Sequence, residues 1–152
     1  GRMASENLIF TLEDGDVTIR LRPDLAPKHA ARIAELANSG FYDGLTFHRV
    51  IDGFVAQGGC PDGNGTGGSG QHIPAEFNSA KHVRGACSMA RTSDPNSADS
   101  QFFICLDAVP YLDNQYTYWG EVIDGMEHVD ALPKGEPPRN PGKIVKARTV
   151  AA

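Results

Sequence analysis

The side chains best suited to chemistry in this 152-residue sequence cluster between Phe41 and Gly59. Phe47-His48-Arg49-Val50-Ile51 and Phe54-Val55-Ala56-Gln57-Gly58 are two short β-like runs flanking a tight Asp52-Gly53 break, so the chain folds back on itself there. Alternation on such a hairpin sends Phe47, Arg49 and Ile51 to one face and His48 and Val50 to the other. It also returns Phe54 and Gln57 to the neighbourhood of Arg49. The product is a cation and an amide beside aromatic and aliphatic surface, with no acid/base pair. An ordinary hairpin carrying one exposed arginine fits the same pattern, and both readings stay open on these residues alone.

Other chemistries find less support. Gly63-Asn64-Gly65-Thr66-Gly67-Gly68 has the GxGxxG form, but Ser69-Gly70-Gln71-His72-Ile73-Pro74 follows it where a dinucleotide fold needs a helix. It reads instead as a glycine loop whose backbone must lie close to something. No GxSxG elbow exists. His29, His48, His72, His82 and His128 show no metal-ligand spacing, and each taken singly reads as a surface or structural histidine. Cys60, Cys87 and Cys105 are odd in number, lack CxxC spacing, and read as small buried hydrophobes.

The elements that must position these residues follow from periodicity. Asn7 to Leu12 and Val17 to Leu21 alternate around the turn Glu13-Asp14-Gly15-Asp16, which predicts a β-hairpin. Ala30, Ile33, Ala34 and Ala37 recur at helical spacing behind Pro27, predicting a helix over 27–38 stopped by Ser39-Gly40. Strand-like runs follow over 45–51, 54–57, 85–90, 102–106, 116–122 and 144–150, with a second short helix over 126–132 before Pro133. With the first hairpin these make eight strands, a number that closes into a barrel. Two irregular stretches, 58–81 and 91–100, are long for so compact a chain, and the chemistry is expected beside them. Lys134 to Pro141 reads as a connection to the last strand.

Composition narrows the classes further. With 40% hydrophobic and 22% charged residues, the chain can bury a core as one domain over 1–152. Residues 1–6 are set aside as vector-derived residues and a flexible N-terminus, because Gly1-Arg2 precede Met3. A net charge of −5 argues against nucleic-acid binding, and no apolar run approaches a membrane span. The cysteine usage and the lack of a signal-like N-terminus predict a cytoplasmic protein. Nothing in the sequence demands more than a monomer.

The stretch carrying Phe47-His48-Arg49, Phe54 and Gln57-Gly58-Gly59 resembles the signature of the cyclophilin family of peptidyl-prolyl cis/trans isomerases. Further landmarks of that family follow in order: Asn64-Gly65-Thr66-Gly67-Gly68, Ser88-Met89-Ala90, Ser100-Gln101-Phe102-Phe103-Ile104-Cys105, Leu112-Asp113 and Gly120-Glu121-Val122. The similarity runs from about Asn7 to Val150 and is closest to the compact bacterial type. It implies a mainly β fold, a closed eight-stranded antiparallel β-barrel capped by two helices, with a packed interior and a substrate groove on its outer surface.

The resemblance also implies rotation about X–Pro peptide bonds, in peptides and in unfolded or folding proteins, without cofactor or metal. It assigns catalysis to Arg49, Phe54 and Gln57. Val55, Phe103 and Leu112 join Phe54 around the proline ring, and Gln101 joins Gln57 in holding the arginine and the substrate backbone. Ala90 and Arg91 would pair with the residue before proline, and Gly65 and Thr66 form the adjacent wall. Tyr111 and Tyr116 stand where many eukaryotic members carry tryptophan and histidine; the resemblance implies that catalysis tolerates both, and that loss of the tryptophan at 111 weakens binding of cyclosporin-type ligands. Arg91 and Thr92 replace smaller or neutral residues, which bears on preference for residues before proline. Two rival readings remain: a non-catalytic proline-peptide-binding or scaffold protein using the same groove, and a barrel holding a small ligand inside.

Overall fold

Val17, Ile19 and Leu21 are buried while Asp16, Thr18 and Arg20 are not, the period-two burial that the sequence requires of a half-buried strand. In the computed structural model, which describes residues 6–152, this strand is β2 (Asp16–Leu21), paired antiparallel with β1 (Glu6–Leu12). Glu6, set aside in the sequence reading, already pairs with Ala151; the rest of that N-terminal segment lies outside the described residues. The helix α1 spans Pro27–Asn38 as its periodicity predicts, with Pro27 in its first turn and Ile33, Leu36 and Ala37 turned into the core.

The remaining strands are β3 (Arg49–Ile51), β4 (Val55–Gly58), β5 (Ala86–Met89), β6 (Phe102–Cys105), β7 (Tyr118–Asp124) and β8 (Ile144–Ala151). All pair antiparallel in one eight-stranded sheet ordered β3-β4-β6-β5-β7-β2-β1-β8. The sheet curls, but β3 and β8 at its two edges share no ladder. The seam between them carries isolated bridges, Thr46 with Lys143 and Val50 with Gly135. The second helix, α2, covers Met126–Asp130 and ends sooner than the expected 132, because Ala131 already caps it ahead of Pro133.

Phe10, Phe47, Phe102, Ile104, Trp119 and Ile144 fill the inside of the curl, each 1% exposed or less. These large side chains occupy the space that an internal ligand would need, which speaks against the reading of an internal binding barrel. A second apolar cluster lies on the outer face, built from Val55, Ala86, Phe103, Cys105, Val109, Leu112 and Tyr118.

Simple alternation fails at one place in the key hairpin. Phe47 and Val50 both lie in the inner core, whereas Arg49 and Ile51 face outward. The regular ladder begins only at Arg49, and the preceding residues follow the seam, where the Phe47 N–H donates to the Gly142 carbonyl at 2.8 Å. Expected strand 45–51 is thus shortened to Arg49–Ile51.

Burial pushes the rings of His29 and His82 below the ordinary imidazole range, against the opposing pull of the Glu76 and Asp113 carboxylates. Burial, helped by the Arg49 cation, does the same for His48. Among the described residues, His29 Nε2 and His48 Nδ1 have no hydrogen-bond partner, so a second ring proton would find no acceptor there. The unfolded chain takes up these protons near pH ~6.5, the folded protein only below it. The melting temperature should therefore hold steady above pH ~7 and fall as pH drops through that value. Calorimetry between pH 8 and 5 checks this; a melting temperature that stays constant or rises down to pH 5 would refute it.

Candidate functional site

Register brings the site together. Arg49 pairs with Gln57 across β3–β4, Gln57 with Phe103 across β4–β6, and Phe103 with Ser88 across β6–β5. These residues form one row across the outer face, so a cation, an amide and an aromatic ring stand side by side. Arg49 Nη1 donates to Gln57 Oε1 at 3.3 Å, and its guanidinium carbon lies 5.7 Å from the centre of the Phe54 ring. Gln57 Nε2 donates to Gln101 Oε1 at 3.2 Å. Gln101 Nε2 in turn donates to the carbonyls of Gly65 and Gly67 at 2.8 and 2.9 Å.

The glycine loop does lie close to something, as its composition predicts. A Cβ on Gly68 would come within 2.6 Å of the Asp99 carboxylate, and one on Gly59 (φ +86°) within 2.6 Å of the Ser100 carbonyl. The isolated bridge between Ile73 and Ala98 ties the two long irregular stretches together beside the row.

Arg49, Phe54, Val55, Gln57, Ala90, Arg91, Phe103, Leu112 and Tyr116 surround a cavity of about 160 Å³ on the outer face. Its floor is Phe103, with the Tyr116 ring edge-on at 5.4 Å. Gly65, Thr66, Ala90, Arg91, Thr92 and Gln101 line an adjoining depression of about 240 Å³. The Ala90 N–H already donates to the Gln101 carbonyl at 2.9 Å, so a peptide pairing here would use the Ala90 carbonyl or the Arg91 N–H. Thr66 and Thr92 turn their hydroxyls to Asn64 and Ser97, which fixes them as walls. Tyr111, on a 3-10 turn over Pro110–Leu112 absent from the sequence reading, is 70% exposed and stacks on Phe54 at 6.3 Å.

A family model described as "Cyclophilin type peptidyl-prolyl cis-trans isomerase/CLD" matches residues 8–149. The chain belongs to the cyclophilin family. A Brucella suis protein named "Probable peptidyl-prolyl cis-trans isomerase" is 49% identical, the alignment covering 92% of this chain and 80% of that one. The Bacillus subtilis peptidyl-prolyl cis-trans isomerase B is 47% identical over 84% of this chain and 90% of its own. A crystal structure of a Cryptosporidium parvum cyclophilin superposes with a TM-score of 0.91 at 31% identity, covering 97% of this chain and 99% of that one.

Two features of this cyclophilin's site escape sequence reasoning. Glu136 reaches Arg49 from the segment read as a plain connection, accepting from Nε at 3.0 Å. Asp113, His82 and Ser88 form a hydrogen-bonded chain, His82 Nδ1 to Asp113 at 3.0 Å and Nε2 to Ser88 Oγ at 2.6 Å. A carboxylate only accepts, so Nδ1 carries the hydrogen and the neutral ring accepts from the serine. The array has the order of a hydrolase triad, yet Ser88 is 0% and His82 1% exposed. No carbonyl can reach that hydroxyl. The array supports the pocket instead, since the His82 ring stacks on Phe103 at 6.1 Å and 26°.

Proposed function

We propose that this groove lowers the barrier to rotation about X–Pro bonds in peptides and folding proteins, with Arg49 acting on the prolyl nitrogen. Amide resonance sets the barrier at ~18–20 kcal/mol, and no bond need be made or broken. A guanidinium aimed at the prolyl nitrogen favours its pyramidal, lone-pair-bearing form, which exists only in the twisted transition state. That difference between states is what accelerates the step. The observation that carries the reading is the mouth of the apolar pocket. Arg49 stands there with Nε and Nη1 engaged and Nη2 without a partner among the described residues. Phe54, Val55, Phe103 and Leu112 supply the surface for the proline ring. A related Cryptosporidium parvum cyclophilin, with a TM-score of 0.89 and 30% identity, has been crystallised in the presence of the dipeptide Ala-Pro.

A protease-coupled proline-peptide assay tests the reading: turnover well above the uncatalysed rate supports it. Tight peptide binding without turnover would favour the scaffold alternative instead. Because rotation needs neither metal nor thiol, chelators and thiol reagents should leave the rate unchanged. Cys60, Cys87 and Cys105 are all buried, which removes the one route by which a thiol reagent would reach the groove.

The rim residue Tyr111 sets a further expectation. Tyr111→Trp should tighten cyclosporin binding by about tenfold and leave peptide turnover nearly unchanged, because an indole adds apolar area and an N–H donor at an exposed rim worth ~1–2 kcal/mol. Titration of both proteins with the drug measures it. Equal affinities would mean that the ligand does not reach this position.

A further inference from the structure

The sequence Lys134-Gly135-Glu136-Pro137-Pro138-Arg139-Asn140-Pro141 holds a single acid among its prolines. Its backbone is docked on the site by one reciprocal pair of bonds. The Val50 N–H donates to the Gly135 carbonyl and the Gly135 N–H to the Val50 carbonyl, each at 2.9 Å. In an antiparallel bridge, the residue after Gly135 stands opposite the residue before Val50. Glu136 is therefore the cross-strand neighbour of Arg49 on one side, as Gln57 is on the other. The row across the outer face begins one residue earlier than β3 alone suggests, at Glu136.

The contacts use this placement. Arg49 Nε donates to Glu136 Oε1 at 3.0 Å and Nη1 to Gln57 Oε1 at 3.3 Å, while the Phe54 ring lies 5.7 Å from the guanidinium carbon. Two anchored nitrogens fix the plane of the fork, and Nη2 is the one without a partner among the described residues, on a side chain that lines the pocket. We infer that Glu136 is a positioning residue for the isomerisation: it holds the Arg49 fork in the orientation that presents Nη2 to the substrate.

Two effects of the carboxylate oppose each other. It withdraws some positive charge from the guanidinium, and it removes the torsional freedom of a long side chain. Both partners are substantially exposed, 38% for Arg49 and 57% for Glu136, so solvent screens the first effect. Orientation is not screened, and a misplacement of about 1 Å at a reacting group is strongly felt in rate. Orientation therefore wins, and removing Glu136 slows the reaction. The effect belongs on kcat, because Phe54, Phe103 and Leu112 still hold the ring in the ground state.

This inference rests on the isomerase reading of Arg49, and the experiment separates the two. Wild-type protein, Glu136→Gln, Glu136→Ala, Arg49→Lys and the double variant Arg49→Lys/Glu136→Ala are compared by exchange NMR on a proline peptide, which resolves kcat from KM. The expected result is a kcat on the order of 3- to 10-fold lower for Glu136→Ala with KM within about two-fold. Glu136→Gln should recover most of that loss, since its amide oxygen still accepts from Nε. In the Arg49→Lys background, which has no Nε–H, the alanine change should have no further effect. The Arg49 Nε–H signal should exchange faster with water in Glu136→Ala, a readout independent of turnover. A Glu136→Ala protein with wild-type or higher kcat, or an equal loss in the Arg49→Lys background, would overturn the positioning role. Absence of turnover in the wild-type protein would instead sink the isomerase reading itself.

Discussion

Arg49→Ala should lower kcat/KM by about 10²-fold or more, within the range expected for losing one preorganised charged donor to a transition state. Binding of a proline peptide should weaken far less, because the apolar surface of Phe54, Phe103 and Leu112 is untouched. Arg49→Lys keeps the charge but loses the planar fork through which Nε and Nη1 are anchored, so its rate should fall nearly as far. The melting temperature of either variant should stay near that of the parent, since the side chain lies half-exposed on the outer face. Exchange NMR on a proline peptide measures rotation and binding in one sample. An alanine variant that isomerises at the wild-type rate would reduce Arg49 to a binding residue and remove the mechanism.

Much of this arrangement is legible in the sequence because it is local. Helix α1 is bounded by Pro27 and Ser39-Gly40 and carries its own period, so its limits follow from residues within the helix. The proximity of Arg49 to Gln57 follows from one tight turn at Asp52-Gly53. Pairings over long separations are not legible in the same way. Nothing near Val50 announces that Gly135 will bridge to it, so Glu136 reads as a loop acid until the seam is seen. His82 reaches Asp113 across a separation of 31 residues for the same reason. Phe47 misleads differently: its strand period is broken by the seam, and tertiary packing of a large ring into the core overrides alternation. The family landmarks carry information that periodicity lacks, and they name Gln101 and Phe103 correctly as neighbours of the hairpin.

Phe102 and Phe103 are adjacent on β6 and point to opposite faces, so equal truncations separate fold from function. Phe102 is the hub of the inner core. Its ring stacks on Phe10 at 5.1 Å and meets Tyr42, Phe47 and Trp119 edge-on at 5.6, 6.0 and 6.3 Å. Phe102→Ala opens a cavity among these rings and costs about 3–5 kcal/mol, a large share of the ~5–15 kcal/mol that holds a domain together. Its melting temperature should fall by about 10 °C or more. The folded fraction should still turn over peptide near the parental rate, because no groove residue has changed. Phe103 instead floors the outer pocket, against His82 and Tyr116. Phe103→Ala loses some stability through those two rings, but the substrate also loses the surface that grips proline. That surface is worth ~1.5–3 kcal/mol, so kcat/KM should fall about 10- to 100-fold, chiefly through KM. Thermal unfolding and peptide kinetics, the latter at a temperature where both variants are folded, check the pair. If Phe102→Ala lost activity in its folded fraction while Phe103→Ala kept it, the groove would be on the wrong face of the sheet.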